Sequence, residues 1–265
     1  MLSVIDWPSS VRQILGWTVR ASDGRIGWVR DLYLEDRTWT VRHVVVDTLH
    51  RLGGRRVLLP PEAIEHVDLA GRALQTGLSG RQVSLGPSSD VARPVSGQHG
   101  LDLGRYYRFP SYVVSVGAAV VLAPAILDRT LDAHYDSHLR RVRAIRGYHV
   151  HALDDDVGRA ADFLIVNGSW EIGHMVASVG LWWPTRTILV PVGWIAEVSW
   201  GAATVEVSLP SEAIRLAPQY DSALGLGPEH EERLEGYYGR APFGSRRHAG
   251  SGEVAKPPGG RVWPS

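Results

Sequence analysis

The sequence predicts an all-β protein: two small β-barrels in tandem, related by internal duplication, with short flanking helices. Three observations predict it. A strand–turn–strand stretch, Gly16 to Leu34, recurs as Gly147 to Ile165 at an offset of 131. The register then holds without insertion or deletion for about 90 residues, far beyond chance. Each copy carries about six short strand-like runs and leaves no room for the crossover helices of a parallel sheet. Two copies make a duplicated domain, not a solenoid. Closure of each sheet would remove its exposed edges.

The elements follow in order. Ser9 to Leu15 reads as a short helical lead-in with a Ser cap, and Val11, Ile14 and Leu15 share one face. Gly16 stops it. The lead-in recurs as His138 to Gly147. Asp23-Gly24 signals a tight hairpin, whereas Asp154-Asp155-Asp156 predicts a looser turn in the second copy. Trp39 to Thr48 is a β-branched-rich strand, copied as Trp170 to Val179. The strand Arg56 to Pro60 matches Thr187 to Pro191, and a Pro closes each run. Ala63 to Val67 matches Trp194 to Val198, and Ala73 to Leu78 matches Thr204 to Leu209. Pro210 to Arg215 reads as a terminal helix, and Gly80 makes the equivalent Ser79 to Ser84 a poorer one. Further on, His99 meets His230 and Tyr106-Tyr107 meets Tyr237-Tyr238.

These matches bound the organisation. The barrels themselves are expected at 11–80 and 142–211. A first domain with its extension takes 1–110, an apolar linker 111–137, a second domain 138–240 and a disordered tail 241–265. Each barrel has too small a core to be more than marginal alone, so packing of one copy on the other is expected. Tyr112 to Leu127 is the most apolar run. It is shorter than the ~20 residues of a spanning helix, and Gly117 and Pro124 interrupt it. A buried or interface-packing linker is the expectation, with membrane contact through 112–127 as the alternative.

Lys+Arg and Asp+Glu are both 28, which argues against a broad basic field for nucleic acid. The absence of Cys excludes disulfides, thiolate metal sites and Cys nucleophiles. Met1 to Pro8 has no basic n-region, so no signal peptide is expected and the compartment read is cytoplasmic.

Gly16 to Asp31, Val41 to Asp47 and Val57 to Pro60 resemble the PRC-barrel family, as do Gly158, Asp162, Phe163, His174 and Leu189-Val190-Pro191. Pro210 to Ile214, Ala217 to Asp221 and Tyr237 to Arg240 are similar to the end of two-barrel bacterial members. The resemblance covers most of 12–240. The family includes the cytoplasmic domain of the photosynthetic reaction-centre H subunit and the C-terminal domain of the ribosome maturation factor RimM. The resemblance implies a PRC-type β-barrel used for assembly and docking, with no catalytic residues to carry over.

Repeat positions give the candidate residues. Gly27 and Gly158 coincide, as do Asp31 and Asp162, and His43 and His174. The aspartates are expected at a barrel end, accepting from turn amides or Arg, with a ligand or proton site as the alternative. A simple hairpin register brings Asp31 near Arg42. The histidines share the parity of apolar neighbours and read as half-buried imidazoles. His149 and His151 with Asp154 to Asp156, or His134 and His138 with Asp132, offer N and O donors for a metal. A surface strand with an acidic turn explains the first set, and the other copy repeats neither set, so no metal is expected. No G-x-S-x-G, P-loop or H-E-x-x-H pattern is present, so no enzyme and no cofactor is expected.

The copies differ most in tryptophan. Leu181-Trp182-Trp183-Pro184 stands opposite His50 to Gly53, and Trp194 and Trp200 stand opposite Ala63 and Leu69. Adjacent loop tryptophans either cover a barrel mouth or anchor a partner. Trp182, Trp183, Trp194 and Trp200 are therefore the partner-binding candidates, for an unidentified protein or for self-association. A ribosome- or RNA-associated reading rests on Arg51, Arg55 and Arg56 around Gly53-Gly54. A small-ligand or metal-binding barrel is a third.

Overall fold

The computed structural model describes residues 10–50, 53–88, 139–166, 168–180, 186–223 and 225–239. The linker, the tail and the apolar run 112–127 lie outside the described residues.

The first copy opens with α1, Val11–Ile14, capped by Ser10, whose Oγ accepts from Gln13 N at 3.3 Å. Six strands follow: β1 Thr18–Ala21, β2 Gly24–Glu35, β3 Thr40–Thr48, β4 Arg56–Leu59, β5 Ile64–Asp68 and β6 Ala73–Thr76. They line up as β4-β3-β2-β1-β6-β5. All pairs are antiparallel except β1 with β6. The end strands β4 and β5 are joined directly by a 3₁₀ turn, Pro61–Ala63, which bends the sheet round on itself. Pro60 and Pro61 suit that corner because neither is needed as a ladder donor. The hairpin loop is Ser22-Asp23, and Gly24 opens β2 with φ +129.

Helix α2, Gly80–Ser84, forms despite Gly80 because a capping box compensates. Ser79 Oγ accepts from Gln82 N at 3.3 Å, and Gln82 Oε1 accepts from Ser79 N at 2.8 Å. Asp23 Oδ1 also accepts from Gly80 N at 2.8 Å, tying the first hairpin to this helix.

The second copy repeats this after β7, Leu139–Arg141, and α3, Val142–Ile145. Its strands are β8 His149–His151, β9 Asp156–Ile165, β10 Ile172–Val179, β11 Arg186–Pro191, β12 Ile195–Ser199 and β13 Thr204–Val207. Their order, β11-β10-β9-β8-β13-β12, matches the first sheet strand for strand. The looser turn is there: residues 152–155 separate β8 from β9, after a bulge at Val150/His151. Helix α4, Ser211–Arg215, replaces the capping box with Asp154, which accepts from Ser211 N at 2.7 Å and Ser211 Oγ at 3.1 Å. The last helix among the described residues, α5, Pro228–Tyr238, ends at Gly239 with φ +66.

Both copies share one apolar core. Val19, Leu32, Val44, Leu59 and Leu74 are buried on one face of the first sheet, and Val150, Phe163, Met175, Val190 and Val205 on the matching face of the second. Trp39 packs on Phe163 across the seam, ring centroids 5.9 Å apart. Burial of this seam supplies what each small barrel lacks.

Candidate functional site

The two sheets meet through a local two-fold relation. Thr40 forms an antiparallel bridge with Glu171, its own counterpart in the repeat. Val41 N donates to Trp170 O at 2.8 Å, and Ile172 N donates to Trp39 O at 2.6 Å. A residue that pairs with its own repeat copy must sit beside the axis relating the copies.

The lead-in helices cross that axis. Helix α1 of the first copy lies on β9, and α3 of the second copy lies on β2. Strand β7 adds to β2, with Tyr33 opposite Arg141 and Leu34 opposite Arg140. The counterpart contact is the bridge Ser10 to Leu164. Residues 139–145, which the sequence numbers with the second copy, thus pack on the first barrel. The outer part of β2 is accordingly buried without alternation from Asp31 to Leu34.

Asp31 and Asp162 receive the exchanged helices. Asp31 Oδ1 accepts from Leu32 N at 2.9 Å and from Arg143 N at 3.2 Å, and Oδ2 accepts from Arg141 Nε at 3.0 Å. Asp162 Oδ1 accepts from Phe163 N at 2.9 Å and from Arg12 N at 3.1 Å. Arg12 and Arg143 are equivalent positions, so each carboxylate caps the other copy's first helical turn, where orphan amides need an acceptor. The simple hairpin register fails for Asp31. Bulges at Val29/Asp31 and Tyr33/Leu34 shift the pairing, so Asp31 stands opposite Val45. Arg42 instead donates to Glu35, Nε to Oε2 at 2.8 Å.

The basic lead-in is spent on the same seam. Arg140 pairs with Asp36 at 2.9 Å, both side chains largely buried. Arg143 reaches Arg30 O across it, whereas Arg146 Nε donates to Ala161 O within the second copy at 2.8 Å. The dense run of arginines at 140, 141 and 143 was the overlooked sequence signal for this seam.

Burial raises both carboxyl pKa values above the usual range. For Asp31 the Arg143 and Leu32 amides and Arg141 oppose the rise. For Asp162 the Phe163 amide, Ser10, the Arg12 amide and Arg146 do so. The folded state therefore holds these protons to higher pH than the unfolded chain. Their contribution lowers stability as pH rises from 3.8 through the raised folded value. The expected result is that the stability penalty of Asp31→Asn, read by urea unfolding, grows as pH falls from neutral to about 4. A penalty that shrinks on acidification would mean a depressed carboxyl and overturn this.

Residues 9–76 match the family model described as PRC-barrel domain. The first copy is a PRC-barrel domain. The second PRC-type barrel repeats its strand order and its two-fold contacts, so the chain is a tandem of such barrels. No sequence among curated proteins matches the chain. PRC-barrel domains are generally non-catalytic modules.

Within this PRC-barrel pair the other candidates fall as follows. His43 is buried, its Nδ1 on Arg42 O and its ring edge-on to Tyr33 at 6.3 Å. His174 is half-buried on β10. Its pKa falls to about 4, first through burial and then through His230. His149 and His151 are exposed, and His151 Nδ1 lies 2.8 Å from Asp156 Oδ1. Among the described residues no group of three or more His, Asp or Glu could hold a metal. Asp132, His134 and His138 lie outside them.

Arg55 Nη2 donates to Gly86 O at 3.1 Å, and Arg56 Nε pairs with Asp47 at 3.0 Å. Two of the three guanidiniums of the RNA reading are therefore engaged within the barrel, and Arg51 lies outside the described residues. Arg186, the counterpart of Arg55, likewise donates to Arg215 O at 2.9 Å and Ala217 O at 3.3 Å.

The tryptophans separate. Trp194 ends the 3₁₀ turn Val192–Trp194 and packs half-buried against the core. Trp200, in the turn after β12, is 57% exposed, whereas its counterpart Leu69 packs on the core. Trp182 and Trp183 lie outside the described residues. Among the described residues no helix is long and apolar enough to cross a membrane.

Proposed function

We propose that this chain is a non-catalytic docking module of the PRC-barrel type, with its partner face on the second barrel. The reading rests chiefly on Trp200, a large aromatic held 57% exposed on a short turn. Exposed tryptophan favours an interface anchor because it supplies much apolar area at low entropic cost. The partner is a protein offering an apolar pocket. The Cys-free composition suits a reducing compartment such as the cytoplasm.

The test compares wild type with Trp200→Ser in affinity capture from the native host, alongside the melting temperature of each. The expected result is an unchanged melt and at least a tenfold drop in one defined co-purifying protein. Trp182→Ala with Trp183→Ala is run beside it to ask whether the face extends to that loop. A Trp200→Ser variant that retains every association and its oligomeric state defeats the reading.

A further inference from the structure

We propose that one copy of this chain docks on another through two charged rows, a basic row on the outer face of the first barrel and an acidic row on the outer face of the second. Residues opposite one another on neighbouring strands share a face of the sheet. In the first barrel, His66, Gln75, Arg20 and Arg25 stand opposite one another across β5, β6, β1 and β2. In the second barrel, the same registers across β12, β13, β8 and β9 line up Glu197, Glu206, His151 and Asp156. Each residue matches its counterpart at the offset of 131. Their chain neighbours Val19, Leu74, Val150 and Val205 are buried on the opposite face, so both rows point outward. His66, Arg20 and Arg25 are exposed, as are Glu197, His151 and Asp156, while Gln75 and Glu206 are half-buried.

Each row is set against itself. Arg20 stands opposite Arg25, and Glu197 stands opposite Glu206. Like charges directly opposite on paired strands are destabilising. At the same place in the same fold, one barrel thus opposes two arginines and the other two glutamates. Neither barrel gains from this by itself. An opposite row laid over each one offsets both penalties, and the chain carries both complementary rows. Trp28 adds an apolar element beside the arginines. It is 37% exposed, and the Arg25 guanidinium carbon lies 5.9 Å from its ring centroid.

The basic face suits protein carboxylates better than a nucleic acid. Nearby acids temper it: Glu65 in the β5 bulge, and Asp47, which Arg56 and Arg30 approach at 3.0 and 3.7 Å. A phosphate backbone rewards a broad basic field, and the acidic row of the same chain repels it. The contact joins unlike surfaces, so it either closes into a ring or extends as concentration rises. It does not depend on Trp200.

The experiment is sedimentation velocity on the pure full chain over a concentration series, at about 20 mM and about 300 mM NaCl. Wild type is expected to associate at low salt and to weaken at least about tenfold at high salt, because exposed charges are screened. Arg20→Glu with Arg25→Glu should stay monomeric at low salt, and so should Glu197→Lys with Glu206→Lys. Mixed in equal amounts, the two variants should associate again, since the acidic rows of one meet the basic rows of the other. If a reversal does not fold, Arg20→Gln with Arg25→Gln replaces it and should weaken association at least about tenfold. A monomeric wild type at low salt overturns the contact. So does association that survives either reversal or high salt, or a mixture that stays monomeric. A chain that stays monomeric and binds a short single-stranded oligonucleotide through Arg20 and Arg25 assigns the basic row to nucleic acid and overturns it too. Trp200 is unchanged in every variant, so failure here leaves the Trp200 docking face standing, and failure of that face leaves the rows standing.

Discussion

Asp31→Ala is expected to destabilise the protein by about 3 kcal/mol. The carboxylate is fully buried and accepts three hydrogen bonds. Alanine leaves the Leu32 amide and the Arg143 amide without an acceptor, and a buried unsatisfied donor costs about 1–3 kcal/mol. Arg141 softens the loss, because its side chain is 42% exposed and can turn to water. The loss therefore falls at the low end of the range for breaking a buried ion pair. Asp162→Ala should cost less, since Asp162 is only half-buried and its described contacts include no ion pair at short range. Asp31→Asn keeps one acceptor oxygen and should cost less than alanine. Urea unfolding at pH 7 measures all three. If Asp31→Ala costs under about 0.5 kcal/mol, a typical surface value, the seam does not depend on this carboxylate.

The fold was legible because duplication supplies its own comparison. Positions that match at the offset of 131 stand at matching contacts in the two barrels: Gly27 and Gly158 against the backbone of the next strand, Asp31 and Asp162 on exchanged helix amides, Asp23 and Asp154 on the amides of Gly80 and Ser211. The exchange of the lead-in helices was not legible, for a physical reason. Val11, Arg12 and Ile14 are identical to Val142, Arg143 and Ile145. Either helix fits either barrel, so pattern alone cannot say whose helix lies on whose strand. The partner of Asp31 was missed because bulges in β2 displace the register, and alternation of polar and apolar residues does not record a bulge.

Gly27→Ala is the second large effect expected, about 1–3 kcal/mol and at the upper end of that range. A Cβ on Gly27 would fall inside contact distance of the Asp47 carbonyl, and one on Gly158 would do the same to the Ser178 carbonyl. The obstacle is backbone in both cases, so no side chain can swing aside. Nor can the obstructing strand easily retreat. Asp47 is tied to Arg56 at 3.0 Å and to Arg30 at 3.7 Å, and β3 is paired on both of its edges. Gly158→Ala carries a further burden, because its φ of +156 disfavours a side chain. Gly201 is the control: it is exposed and a Cβ there meets nothing within 4 Å. Gly201→Ala should stay within about 0.5 kcal/mol of wild type. Thermal and urea melts of the three variants decide the matter. If Gly27→Ala is no costlier than Gly201→Ala, β2 and β3 can separate freely at this crossing. The repeated glycine would then reflect descent from one ancestral copy and not a contact that both barrels need.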